Sequence, residues 1–390
     1  MKRLLLHYST LALGGAEMSS LRMINGLLDR GWQVTLVVTT GGGPAEHMVD
    51  PRTKLVRLRP AAAGGRVKAA GSLGAALAMA PDLVRAAVYK GIGLVRMLPF
   101  TLRRYDAAAV LLMGMPSTFV RRAVQAKVKA IWIRNDLGHV DPIGRVAAAL
   151  TRAEPEIDHF ICVSETARDA LIAGCPTTAA KAEVVYNLLA PDDMRARAKA
   201  PPPTAMKTPD APLQILTVCR LSDTSKALFR MVRVARRLLD AGHDFRWFIA
   251  GDGPDKAALQ AAIDAAGLGD VMVLLGRIEN PFPAYAAADV VAMLSNYEGL
   301  CGVVNEARVL EKPIIATRVS GIDEQLTDGE NGLIVAQDED AIVDGLTRLL
   351  TDAELRTKLG KGGYPAVLMD DAAKLDRLEA LFLGHDRTAP

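Results

Sequence analysis

Glu298 and Glu306 stand eight residues apart in "NYEGLCGVVNEARVLE", with Gly299 and Gly302 between them and an apolar run, 313–316, soon after. A carboxylate can accept two hydrogen bonds, which suits a pair of neighbouring sugar hydroxyls. Glycines at the start of a helix leave backbone N–H groups open to phosphate oxygens. One acid would then take a sugar and the other a ribose, with a diphosphate between them. The same residues also make an ordinary helix start with a solvated acid. Upstream, "CRLSDTSKAL" sets Arg220 just after a strand pattern and Lys226 at a helix start. Ligands of open α/β sheets bind at the carboxyl ends of strands. A guanidinium fork and an ammonium point charge together suit a diphosphate, or are simply surface cations. "AGDGPDK" adds a Gly-rich turn that could bring backbone close to a ligand. Near the start, "LALGGAEMSS" carries adjacent Gly14 and Gly15. That spacing breaks the G-x-G-x-x-G fingerprint and disfavours a nicotinamide dehydrogenase. It still presents N–H groups of a helix start to an anion, or makes a tight turn.

These residues need elements to hold them. "RLLLHYS", a Gly-rich loop, a helical pattern through Met18, Leu21, Ile24 and Leu28, and "GWQVTLVVTT" form a β-loop-α-β unit. Further strands are expected in "AAAVLLMG", "KAIWIRN", "HFICVSE" and "EVVYN". Residues 191–212, rich in proline and charge, read as an interdomain linker. A second α/β series follows: "LQILTVCRL", "FRWFIAGDG", "VMVLLG", "DVVAMLS", "KPIIAT" and "NGLIV", with helices between. The expected fold class is α/β: two Rossmann-like, doubly wound parallel-sheet domains facing a cleft. Their bounds are 1–190 for the first and 213–364 for the second. A C-terminal helix, 365–390, is expected to pack back on the first domain.

A chain of 390 residues is comfortable for two such cores. Four scattered cysteines with no C-x-x-C pair read as free thiols in a reducing compartment, not a disulfide frame or zinc site. The basic, apolar N-terminus reads as a first strand, not a signal peptide. The net charge is only +3, yet 52–104 holds eleven Lys and Arg and a single acid, Asp82. That asymmetry points to an anionic partner for the first domain. Basic residues interleaved with aromatics are missing, which argues against nucleic acid.

In their order and spacing, "CRLSDTSKA", "AGDGP", "LGRIENPFPAYAAADVVAMLSNYEGL", "NEARVLEKPIIAT" and "DGENGLIV" resemble the retaining glycosyltransferases of family 4, with the GT-B fold. The resemblance runs from "GGAE" to "DGENGLIV" and is strongest over 216–335. It implies that Glu306 binds the ribose and Glu298 touches the donor sugar. It implies that Arg220 and Lys226 hold the diphosphate. The backbone of Leu300, Cys301, Gly302 and Val303 would face sugar and phosphate. Arg277 and Ile278 would lie near the base, and Gly14 and Gly15 would close on the diphosphate from the other domain.

Many members carry a His before the Asp in the first domain's cleft strand. Here "AIWIRNDLGHVD" offers Arg134, Asn135 and Asp136, and the histidine comes only at His139. Arg134 could donate to phosphate or sugar, but its guanidinium stays protonated and cannot act as a base. Arg220, Lys226 and the helix start at Gly302 could stabilise the leaving diphosphate without a metal. "DED" at 338–340 reads as an acidic helix N-terminus, not a metal motif. Arg85, Lys90 and Arg96 lie in an apolar stretch broken too often by charge to span a bilayer. It reads as a basic amphipathic helix on an anionic membrane surface, the alternative being a helix packed on its sheet.

The expected activity is transfer of a hexose from a nucleotide sugar, UDP-linked first and GDP-linked second, to a glycan or lipid acceptor. No cofactor is expected. The expected place is the cytoplasm, at the inner face of the plasma membrane. The alternatives are a sugar-nucleotide epimerase and an inactive binding subunit of the same fold.

Overall fold

The computed structural model describes residues 1–12, 14–60, 80–111, 117–141, 144–206 and 212–384, with backbone alone for 80–86 and 140. The chain forms two compact units, Met1–Leu188 with Ala372–Pro390, and Leu189–Asp371.

In the first unit, seven parallel strands lie in the order β3-β2-β1-β4-β5-β6-β7. They are β1 (Arg3–Tyr8), β2 (Gln33–Thr40), β3 (Lys54–Arg59), β4 (Arg104–Val110), β5 (Gln125–Ile133), β6 (His159–Cys162) and β7 (Ala182–Val184). The order reverses between β1 and β4, which pair directly, Leu5 opposite Ala108. Near-continuous apolar runs such as Leu4, Leu5 and Leu6 are fully buried, as a sheet covered on both faces requires. Strand β3 was not among the expected strands. Its "KLVRLR" mixes basic and apolar residues, as an edge strand tolerates, and is hidden by the charge of the surrounding stretch. The expected strand over "AAAVLLMG" ends at Val110, and 112–116 lie outside the described residues.

The helix Asp371–Leu383 belongs to the first unit through its residues from Ala372 onward. A side chain at Gly26 would strike Leu375, so the helix Gly15–Asp29 meets it through a bare backbone. Glu379 accepts from Lys2 Nζ at 2.6 Å, Trp32 Nε1 at 2.7 Å and Arg30 at 2.9 Å. The single helix expected over 365–390 is broken at Asp370, between Ala366–Met369 and Asp371–Leu383. Asp371 spends its carboxylate on Leu189 N–H at 3.0 Å and Ala190 N–H at 2.7 Å.

The second unit has six parallel strands in the order β10-β9-β8-β11-β12-β13. They are β8 (Leu213–Val218), β9 (Phe245–Ala250), β10 (Met272–Gly276), β11 (Val290–Met293), β12 (Ile314–Thr317) and β13 (Leu333–Val335). Again the order reverses, here between β8 and β11. Separate apolar clusters cover the two faces, one around Trp247 and Leu346, the other around Phe248 and Val304. The expected linker 191–212 opens instead with the helix Pro191–Arg197, which packs Met194 into that second cluster. Proline at its start and Asp192 and Asp193 in its first turn favour that helix locally.

Candidate functional site

The site residues of the second unit gather where its sheet order reverses, at the carboxyl ends of β8 and β11. Such switch points open a crevice in doubly wound sheets. After β8 the chain passes Cys219 and Arg220 into the short helix Asp223–Lys226, then turns through Ala227 in the left-handed region at φ +50°. After β11 it runs through Ser295 and Glu298 to the helix Gly302–Val309.

Lys226 and Glu298, 72 residues apart, form a hydrogen-bonded ion pair at this point. Both side chains are largely buried. Burial alone would lower the Lys226 pKa, but the adjacent Glu298 carboxylate raises it above the ordinary lysine value. Ser295 Oγ donates to the same Glu298 oxygen at 2.6 Å. Asn296 ties the two loops together, its N–H donating to Ser225 O at 2.8 Å and its amide to Thr224 O at 3.1 Å. The cation expected at a diphosphate and the acid expected at a sugar therefore hold each other. Together they present a neutral, oriented pair beside the start of the helix Gly302–Val309.

Glu306 sits one turn into that helix. The fully buried Tyr285 hydroxyl donates to Glu306 Oε2 at 2.8 Å. Burial, with the Glu306 charge beside it, raises the Tyr285 pKa well above the ordinary value, so the phenol remains a donor. Cys301 caps the helix with no side-chain bond to its N–H groups. Its own peptide is gripped by Gln325: Cys301 N–H donates to Gln325 Oε1 at 3.0 Å, and Gln325 Nε2 donates to Cys301 O at 2.9 Å and Asn305 Oδ1 at 2.7 Å. A Cβ built on Gly302 meets nothing within 4 Å. Leu300 and Cys301 are buried, while Gly302 and Val303 are half-buried. Burial pushes the Cys219 and Cys301 thiols up to about 12, so both stay protonated.

Arg220 is exposed, and no hydrogen bond or ion pair among the described residues holds its guanidinium. Arg277 is exposed and Ile278 half-buried, just past β10. The turn after β9 packs closely on the chain leaving β8. Gly251 has φ +155°, and a side chain there would lie 1.8 Å from Cys219 O; at Gly253 it would lie 2.3 Å from Leu221 O. These glycines let the backbone leaving β8 cross the turn. Asp338 of "DED" accepts from Ala341 N–H at 2.9 Å as a helix cap, and Glu339 and Asp340 pair with Arg233 and Arg237.

In the first unit, Gly14 precedes the helix Gly15–Asp29 and Gly15 begins it. The Glu17 carboxylate folds back on that start, 2.8 Å from where a Gly14 Cβ would be. An acid in the first turn already complements the helix dipole there. Arg134, expected as a donor to phosphate or sugar, is held here by protein groups. It is buried, with Nε donating to Leu111 O at 2.8 Å, Nη2 to Ser20 Oγ at 2.8 Å and Nη1 to Asn187 at 3.2 Å. Burial lowers its pKa against the pull of Tyr8 and Glu17. Arg134 thus clasps β4, the first helix and the chain after β7. Asn135 and His139 are exposed, and Asp136 caps the short helix Leu137–Val140, accepting from Gly138 N–H at 2.8 Å and pairing with His139 at 3.0 Å. Lys90 and Arg96 are exposed, and Arg96 donates to Arg57 O at 2.8 Å. The side chain of Arg85 lies outside the described residues.

Sequence reasoning missed Tyr285, Ser295 and Gln325. Ser295 was within reach, because it lies three residues before Glu298 on the same loop. Tyr285 and Gln325 are brought in by other elements and carry no motif of their own.

Residues 204–365 match the family model described as glycosyl transferases group 1, and 13–192 match that of glycosyltransferase family 4. The chain belongs to this glycosyltransferase family. A curated relative, the alpha-D-kanosaminyltransferase of Streptomyces kanamyceticus, is 30% identical over 40% of this chain and 41% of its own length. Another, from Campylobacter jejuni, is named as a 4-alpha-N-acetylgalactosaminyltransferase acting on a diphospho-undecaprenol-linked saccharide. It is 30% identical over 52% of this chain and 53% of its own length. The match thus spans about half, or less, of the length of these relatives. The solved structure of Anabaena HepE with UDP and glucose superimposes with a TM-score of 0.71 at 16% identity, covering all of both chains. The family's GT-B fold, two Rossmann-like domains, is the fold of this chain.

Proposed function

We propose that this family 4 member transfers a hexose from a nucleotide sugar, with UDP the first choice of carrier and GDP the second, to a glycan or lipid-linked acceptor of the cell envelope. The observation that carries the reading is the convergence of Lys226, Glu298, Glu306 and the start of the helix Gly302–Val309 at one switch point. Glu306, oriented by Tyr285, offers an acceptor to the ribose hydroxyls. The N–H groups of Gly302 and Val303 take phosphate oxygens, and Arg220 swings onto the diphosphate. Lys226 faces the same charge, and Glu298 turns to a hydroxyl of the donor sugar.

As the bond from the anomeric carbon to the diphosphate oxygen breaks, negative charge grows on the leaving group. Preorganised cations and N–H dipoles stabilise that charge more than they stabilise the ground state. In this reading the transfer needs no metal and retains the anomeric configuration, the acceptor oxygen entering on the face the diphosphate leaves. HepE, seen with UDP and glucose, and the Campylobacter relative, named for a lipid-diphosphate acceptor, support the choice of donor and acceptor classes. The reading places the enzyme in the cytoplasm at the inner face of the plasma membrane.

Calorimetric titration with UDP, GDP, ADP and NAD in EDTA tests the site. One nucleoside diphosphate should bind, and Glu306→Ala and Lys226→Ala should each weaken it about ten-fold or more, the loss of a charge-assisted contact. Unchanged affinity in both variants would remove the assignment. Conversion of a UDP-sugar to its epimer with no acceptor present would replace transfer by isomerisation.

A further inference from the structure

The first unit carries a surface that glycosyl transfer leaves unused. The helix Ala80–Thr101 packs on β3 and the core behind it through Gly93, Met97 and Phe100. Gly93 faces the sheet edge there, where a Cβ would rest in ordinary contact, 3.5 Å from Arg59 Nε. The opposite side is apolar and open to water. Val88, Ile92, Val95 and Leu98 follow at helical spacing along it, with Leu94 beside them and Leu102 just past the helix end. Val95 is 66% exposed and Leu102 83%. Six of the nine large apolar side chains exposed among the described residues lie in this one stretch, so it is a patch and not the usual scatter.

Cations frame the patch. Lys90 and Arg96 stand on its two flanks, and Arg103 and Arg104 are exposed at its end. No Asp or Glu occurs from 83 to 105. No described helix is long and apolar enough to cross a membrane.

We propose that this stripe docks the protein on the surface of an anionic lipid bilayer. The helix lies in the interface plane, its apolar side chains at the boundary of headgroups and acyl chains, and Lys90, Arg103 and Arg104 at lipid phosphates. Charge complementarity selects this occupant. A second copy of the chain would bring one cationic frame against another, and an apolar protein groove would leave the frame unanswered. Arg96 has a different part from its flanking neighbours, since its guanidinium holds the carbonyl of Arg57 and so fixes the helix to the sheet edge. The contact therefore depends on apolar insertion as well as charge. The docking stands without the glycosyl-transfer reading; only its consequence, an acceptor met at the bilayer surface, rests on that reading.

The full chain is sedimented with vesicles of phosphatidylcholine alone or mixed with phosphatidylglycerol. Wild type should pellet with the mixed vesicles and be released by salt. Val95→Ser with Leu98→Ser should reduce binding at least ~10-fold, by removing two inserting side chains. Lys90→Glu with Arg103→Glu should reduce it on the mixed vesicles to the level of phosphatidylcholine alone. Circular dichroism and the UDP titration of these variants should match wild type, which separates docking from folding and from the donor site. Equal pelleting of wild type and the serine variant would overturn the proposal. So would binding to neither vesicle, or a self-association abolished by the serine changes without any vesicle binding.

Discussion

At the residue scale the site is a set of side chains made single-valued by their neighbours. A surface glutamate samples several rotamers, but Glu306 is aimed by Tyr285 and Glu298 by Ser295 and Lys226. Gly302 shows how the needs of the ligand and of the protein differ. It has helical backbone and open space where a Cβ would go, so the free protein has no steric use for a glycine there. Gly302→Ala should stabilise the protein by up to ~1 kcal/mol, because alanine loses less backbone entropy on folding. The same change should weaken nucleoside diphosphate binding about ten-fold by keeping phosphate oxygens off the helix start. A melting curve and a titration on the same variant check both. Equal affinity would mean that no ligand approaches that backbone. The acids and cations were legible because charged groups flanking glycines are conspicuous in a sequence. Their supports were not, since a tyrosine in an apolar helix or a glutamine after "IDE" looks like any other.

At the element scale, most strands and helices follow from apolar runs and their periods, because a strand covered on both faces can hold almost nothing else. The exceptions have local causes. Strand β3 is an edge, where Lys54, Arg57 and Arg59 are tolerated, and the expected single C-terminal helix is broken where Asp371 turns to Leu189 and Ala190. The helix Asp371–Leu383 is then held by its buried Leu375, Leu378, Leu381 and Phe382 and by the polar contacts of Glu379. Burial would raise the pKa of that carboxyl, but bonds from Lys2, Trp32 and Arg30 outweigh it and hold the pKa at about 2, from an ordinary 4.5. A depressed carboxyl pKa adds stability that is fully present above the unfolded value and is lost as pH falls toward the folded one. Glu379→Gln should therefore cost roughly 2 kcal/mol near neutral pH, the worth of hydrogen bonds to a charged group. The gap between the variant and wild type should close between about pH 4.5 and pH 2. Denaturant melts across that range measure it, and a constant gap would show that the charge is not what matters.

At the scale of the whole molecule there are two units, each with its own sheet and its own apolar core. The proposed nucleotide site draws its named contacts from the second unit alone. Scanning calorimetry should therefore resolve two transitions, and UDP at about a hundred times its Kd should raise only one of them, by the equivalent of ~2.7 kcal/mol. A single transition, or a shift of both together, would mean that the units unfold as one. Alternating strand and helix patterns, the proline-rich stretch between the series and the ordered motifs were enough to determine two α/β domains and the family, since periodicity and turn chemistry are local properties of a chain. Only the tertiary structure decided which loops meet. Lys226 finds Glu298 across 72 residues, Arg134 turns inward to Ser20 and Leu111, and Gly251 admits the backbone of Cys219. Such pairings depend on strand order and on how side chains fill space between distant segments, and neither is written in any short stretch of sequence.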